Sequence, residues 1–230
     1  MKKIIYCFLP LLILVSGGCR NRGTKGTVTN PGEFDRTDEL VEVPLDRLLS
    51  LRKGYAYRVE NARGEIVPFQ QTTDEKTLVF PCGLKAGETG IFYITASRNS
   101  VTGEPKTFSR HIMERKGDMA WENDRVAFRI YDTALIATDG PSNGIDLWYK
   151  RTGRLVIDDW YENDLAGVAS YHEDHGEGLD DYKVGRSLGA GAMAPFIGDT
   201  LWLNRNFTAI RGADIAAQPL RTVFYADYPD

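Results

Sequence analysis

The sequence predicts an all-β fold, with a small N-terminal β-sandwich followed by a second β domain. From Leu40 onward, short runs alternate apolar and polar residues with a period of two, and Gly, Asn, Asp and Pro punctuate them. No segment carries a long helical period. A polar stretch at 99–106, holding Gly103 and Pro105, divides the pattern into two blocks.

The first block is read as a compact module over 32–98. Residues 40–44 and 55–59 form strands, and Asn61 to Gly64 turn the chain toward a third at 65–69. Strands at 77–80 and 90–95 follow, joined by a turn at 86–89. Residues 46–51 are expected to form a short helical turn. About five short strands suit a small sandwich.

The second block spans 107–230. It opens with residues 120–131, where Val126, Phe128 and Ile130 point to one face and Arg125, Arg129 and Tyr131 belong to the other. Runs at 145–150 and 154–158 flank Arg151, Thr152 and Gly153, a pattern that predicts a hairpin. Late strands are expected at 200–203, 207–211 and 220–228. The last run stops abruptly at Pro229 and Asp230, which would leave a sheet edge open, so this domain is expected to be truncated.

The N-terminus addresses compartment. Lys2 and Lys3 precede a mostly apolar run at 4–15, too short to span a membrane but suited to a secretory signal. Ser16, Gly17 and Gly18 then lead into Cys19, a pattern that resembles a bacterial lipoprotein signal with Cys19 as the lipidated residue. Ser16 departs from the usual aliphatic residue three before the cysteine. Arg20 is not an inner-membrane retention signal, and no acidic run follows it. The expectation is a lipid anchor in the outer membrane, facing the periplasm, with residues 19–31 as a flexible tether. Loss of residues 1–18 removes Lys2 and Lys3 and takes the net charge from −4 to −6. The basic residues are scattered, which argues against a nucleic-acid partner. Beyond Cys7 and Cys19, Cys82 is the sole cysteine, so no internal disulfide can form; it is read as a small buried side chain rather than a catalytic thiol.

The densest chemistry lies at 171–191, YHEDHGEGLDDYKVGRSLGAG. It holds two of the three histidines, His172 and His175, among Glu173, Asp174, Glu177, Asp180, Asp181, Tyr182, Lys183 and Arg186. Neither a core strand nor an amphipathic helix is written this way. The plain alternative is a solvated acidic loop. The mixture of histidine, tyrosine, lysine and arginine with the acids, and of glycines that admit close backbone approach, favours a functional loop.

This motif and residues 119–131, MAWENDRVAFRIY, resemble a family of secreted bacterial proteins catalogued as a domain of unknown function and encoded beside polysaccharide-degrading enzymes. The first module, from Thr29, Asn30 and Pro31, resembles its usual N-terminal part. The resemblance implies a longer protein, with the second domain part of a large β-supersandwich like that of galactose mutarotase. It also implies action on uronic-acid oligosaccharides of the ulvan type, some relatives being dehydratases.

Eliminating water or an alcohol from a uronate requires removal of the weakly acidic proton beside the carboxylate. Arg186, Lys183 or a protonated histidine could neutralise that carboxylate. His172, His175 and Tyr182 are candidate bases, and Glu173, Asp174, Glu177 and Asp180 are candidate acids as a set. A glycoside hydrolase would instead use two of these carboxylates roughly 5–10 Å apart. A non-catalytic glycan-binding module with a ligand or calcium site is the third reading. The pair His172 and His175 offers metal ligands, but it is not the zinc-protease signature and lacks helical context, so a divalent cofactor stays open and is not favoured. Among the aromatics, Trp148 and Trp202 lie in strand runs and are expected in the core. Trp160 and Tyr161, read as entering a polar loop, are the expected sugar platform, with Glu173 and Asp174 as further substrate contacts.

Overall fold

The computed structural model describes residues 23–228, apart from 49, 100, 101, 143, 204, 205 and 213–217. Cys19 and the signal segment lie outside the described residues. The chain divides into two units, Met1–Gly103 and Glu104–Asp230. Among the described residues no helix is long and apolar enough to cross a membrane.

The first unit is a two-sheet sandwich. Its strands are β1 (Thr24–Thr29), β2 (Arg36–Pro44), β3 (Ala56–Asn61), β4 (Ile66–Val67), β5 (Gln70–Gln71), β6 (Thr77–Leu84) and β7 (Thr89–Ser97). One antiparallel sheet runs β1-β7-β3-β4 and the other β2-β6-β5. Alternate residues of both turn inward, so Val41, Val43, Tyr57, Val59, Leu78, Phe80, Phe92 and Ile94 share one core. Cys82 joins that core, and burial pushes its thiol above the ordinary range. The expected helical turn is a single 3₁₀ turn at Leu45–Arg47.

The expected tether needs correction. Residues 24–29 form β1, paired from Thr24↔Ile94 to Thr29↔Thr89. Threonine and valine suit an extended edge strand, and main-chain pairing needs no apolar repeat; Val28 alone is buried.

The second unit is built on one antiparallel sheet. Its strands are β8 (Thr107–Ile112), β9 (Asp118–Asn123), β10 (Val126–Ile130), β11 (Asp146–Lys150) and β12 (Gly178–Leu179), in the order β12-β11-β10-β9-β8. Two short antiparallel pairs follow: β13 (Phe196–Ile197) with β14 (Thr200–Leu201), and β15 (Ala209–Arg211) with β16 (Tyr225–Asp227). The helix α1 (Ile136–Asp139) and the longer helix α2 (Ile157–Leu165) complete it.

Both faces of this sheet are covered. Met119, Ile130 and Phe207 pack on one, with Trp121 and Phe224 beside them. Ile112, Ala120, Ala127, Trp148, Ile157, Tyr161 and Tyr171 pack on the other. Phe128 and Ile130 do share a face, as the alternation predicts. The opposite face is not solvated, and Arg129 on it is only 3% exposed.

The expected hairpin at 145–158 does not form. Residues after β11 turn into α2, and β11 takes its outer partner from the 171–191 motif, Tyr149↔Leu179 and Lys150↔Gly178. The helix was legible in Ile157, Trp160 and Tyr161, spaced i, i+3, i+4. Its start is capped from a distance: Oε1 of Glu122 accepts the Val156 and Ile157 amides at 2.7 and 2.8 Å, satisfying donors that have no helical partner. Oε2 of the same carboxylate receives Nζ of Lys150.

Trp148 is fully buried, as expected. Trp202 is not in the core but 44% exposed, because it follows the exposed β13–β14 hairpin rather than a sheet strand. Tyr161 is 1% exposed on α2 and therefore cannot serve as a sugar platform.

Candidate functional site

The inner face of the sheet has an apolar centre and charged ends. Pairing places Arg129 opposite Ala120 and Asp146, and Trp148 opposite Ala127. Asp118, Arg129 and Asp146 therefore lie toward one end of the face, and Glu122 and Lys150 toward the other.

At the first end Arg129 is the hub. Its Nε and Nη2 donate to Oδ2 of Asp146 at 2.9 and 2.5 Å, and Nη2 donates to Oδ2 of Asp180 at 2.8 Å. Nη1 reaches the hydroxyls of Tyr161 and Tyr171 at 3.4 and 3.3 Å. Tyr131 donates to Asp146 at 2.9 Å, and burial holds its hydroxyl well above the ordinary tyrosine value, so it keeps that proton. A guanidinium has five N–H groups, and here they are committed within the protein. Its ring neighbours Tyr131, Trp148 and Tyr171 lie 5.1–5.5 Å from the charge.

Arg115 stands beside this hub, less buried. Nη1 pairs with Asp118 and Nε donates to the Tyr171 hydroxyl at 3.0 Å. Its Nη2 is not taken up by these contacts. Burial pushes the Asp118 carboxyl up, while Arg115 and Arg129 pull it back.

The motif passes over this end of the sheet. Asp180 is 3% exposed, and burial, with the nearby Asp146, raises its carboxyl to about 6 against the pull of Arg129 and His172. Its main-chain carbonyl accepts from Nδ1 of His172 at 2.9 Å. A carbonyl can only accept, so Nδ1 carries the hydrogen and the neutral ring keeps its lone pair on Nε2. The ring stands against Tyr171, with centroids 4.5 Å apart, and its side chain is 59% exposed.

An open cleft of about 520 Å³ lies here, lined by Arg115, Arg129, Tyr131, His172, Asp180, Asp181, Tyr182 and Lys183, with Asp139 and Ser142 of the neighbouring segment. The structure thus gathers His172, Asp180, Tyr182 and Lys183 of the sequence-derived candidates. Arg186 is exposed and does not line the cleft.

Glu173, His175 and Glu177 face a different depression of about 190 Å³, lined also by Arg154, Asp159, Trp160, Asn163, Ser170 and Tyr171. Asp174 is engaged in shaping the turn: Oδ1 accepts the Gly176 and Gly178 amides at 2.8 and 3.3 Å, and Oδ2 pairs with Arg151. Those donors lower its carboxyl. Gly178 has φ +117°, and a Cβ there would stand 1.9 Å from the Tyr149 carbonyl oxygen, so β12 can meet β11 only with glycine at this position. Among the described residues no group of three or more His, Cys, Asp or Glu is placed to hold a metal ion.

Sequence reading missed Arg115, Arg129, Tyr131 and Asp146. The available signal was charge inside strand runs, at Arg129 in VAFRI and Asp146 in DLWYK, where an ordinary buried strand would be apolar.

The fold and cleft define an all-β chain with an arginine-centred polar cleft on one sheet face. By sequence comparison the chain belongs to the family described as Domain of unknown function (DUF4861), whose model matches residues 28–230. It is 38% identical over 251 residues to "Uncharacterized protein P7" of Formosa agariphila, a match that takes in 100% of this chain and 63% of that protein's length. No solved structure matches.

Proposed function

We propose that the cleft eliminates water or an alcohol from uronic-acid oligosaccharides. The observation that carries this reading is His172, which lines an open cleft that also presents cations and whose Nδ1 is held by the Asp180 carbonyl, leaving the Nε2 lone pair for a substrate proton. In the step proposed, Nε2 takes the proton from the carbon beside the sugar carboxylate. The electrons of that C–H bond form the C=C bond, and the C–O bond at the next carbon breaks. The departing oxygen takes a proton from the Tyr182 hydroxyl, and solvent exchange restores His172 and Tyr182. Nη2 of Arg115 and Nζ of Lys183 are the cations for the sugar carboxylate, because Arg129 is committed to Asp146, Asp180 and the tyrosines. The carboxylates of Asp139 and Asp181 are available to sugar hydroxyls.

Glycoside hydrolysis is the second reading, favoured by the raised Asp180 carboxyl, which resembles a general acid. The N-terminal pattern ending at Cys19 supports a lipid-anchored protein facing the periplasm, the compartment in which oligosaccharides would reach it.

The test is incubation of the full-length protein with unsulfated and sulfated uronate oligosaccharides. New ultraviolet absorbance of a conjugated carboxylate, with loss of one water by mass, supports dehydration. The same absorbance with shorter products supports elimination of an alcohol. Shorter products without absorbance support hydrolysis and sink the elimination reading.

A further inference from the structure

We infer that the depression behind Tyr171 is a second sugar subsite, and that it takes a neutral ring joined to the uronate in the cleft. This inference rests on the uronate reading for its first ring only.

Four observations carry it. The two concavities are linked by a direct contact. Tyr171 is among the residues lining the depression, and its hydroxyl accepts from Arg115 of the cleft at 3.0 Å. His172 faces the cleft and the next residue, Glu173, faces the depression, so one oligosaccharide could lie across both.

The floor is aromatic and stiff. Trp160 is only partly buried, and it stacks on the fully buried Trp148 with centroids 5.5 Å apart and planes 15° apart. An indole held this way offers a flat apolar surface at small entropic cost, which is what the C–H face of a sugar ring requires.

The rim is built for hydroxyls. Nε2 of His175 donates to the Ser170 carbonyl at 3.1 Å, which leaves Nδ1 as an acceptor in the neutral ring. The side chains of Glu173 and Asn163 add acceptors and donors.

Charge selects the occupant. Among the described residues that line the depression Arg154 is the one arginine or lysine, and it is bound to Glu177 at 2.5 Å and Asp159 at 2.8 Å. With Glu173, three carboxylates face that single cation. A second uronate or a sulfated ring would meet like charge, and a neutral ring would not. The cleft and the depression thus separate an anionic ring from its neutral neighbour, which explains why one motif spreads its two histidines over two concavities.

The test is binding to the full-length protein, followed by tryptophan fluorescence and calorimetry. The probes are glucuronic acid alone, disaccharides joining glucuronic acid to a neutral pentose or hexose on either side, and their sulfated counterparts. At least one neutral disaccharide should bind about tenfold more tightly than glucuronic acid, and sulfation of its neutral ring should remove that gain. Trp160→Ala, and independently the surface variant Glu173→Ala with Asn163→Ala, should remove the gain while leaving glucuronic acid binding unchanged. Equal binding of all disaccharides and glucuronic acid overturns the inference. So does a gain that both sets of variants leave intact. Because the readout is binding, a protein that fails to eliminate water still reports on the subsite.

Discussion

At the scale of single residues, the cleft divides labour between groups that hold and groups that face solvent. Arg129 holds. It sits between Asp146 and Asp180, and its removal would strand two buried carboxylates. Arg129→Met is expected to lower stability by roughly 3–5 kcal/mol, read from the urea midpoint. His172 faces solvent, with its tautomer set by the Asp180 carbonyl. If the proposed elimination holds, His172→Ala is expected to cut it at least about 100-fold at unchanged stability, whereas His175→Ala retains the rate on a monosaccharide probe. Equal losses in both variants would show that the base has been misassigned. The density of titratable groups at 171–186 was legible in the sequence because adjacent residues report themselves. Arg129 showed only as a charge inside a strand run, which does not announce whether its face meets water or a helix, and Arg115, in a 3₁₀ turn at Met113–Arg115, carried no pattern at all. That face is decided here by α2, a segment read as the end of a strand and the polar loop after it.

At the scale of elements, the strands were legible through their period of two, and the misreadings fall where two patterns compete. Leu155, Val156 and Ile157 favour a strand by composition, yet Glu122 offers two hydrogen bonds to the Val156 and Ile157 amides and fixes a helix start. The error at β1 has a related cause, since an edge strand needs a partner's backbone more than an apolar face of its own. Glu122 also receives Lys150, so Glu122→Ala leaves two amides unpaired and takes the carboxylate from an ammonium that then keeps the Asn123 carbonyl at 2.7 Å. The expected cost is about 3 kcal/mol or more. Hydrogen exchange should quicken first at the α2 N-terminus, and uniform quickening across the unit would contradict the capping role. At the facing edge, Gly178→Ala is expected to separate β12 from β11, because the new Cβ overlaps the Tyr149 carbonyl. The readout is lost protection of the Arg151 amide, which bonds Glu177 O at 2.8 Å.

At the scale of the whole molecule, the buried polar end of the second unit makes stability depend on pH in an unusual sense. The Asp180 carboxyl lies near 6 when folded, against 3.8 as its ordinary value. Between those values the folded chain binds more protons than the unfolded chain. Its contribution is therefore largest at low pH and is lost as pH rises through about 6, a change on the order of 3 kcal/mol. Asp118 and Glu122 are shifted in the same direction by burial. Urea midpoints at pH 4.5 and 7.5 should differ less in Asp180→Asn than in the parent, and an unchanged difference would remove Asp180 as the cause. Surface loops commonly diversify by insertion and deletion, since little else depends on them. Here the 171–191 segment also supplies β12, which covers the edge of β11, and a change of one residue between Glu177 and Asp180 would shift that register. A laboratory library that varies the cleft-facing side chains should therefore hold the loop's length fixed.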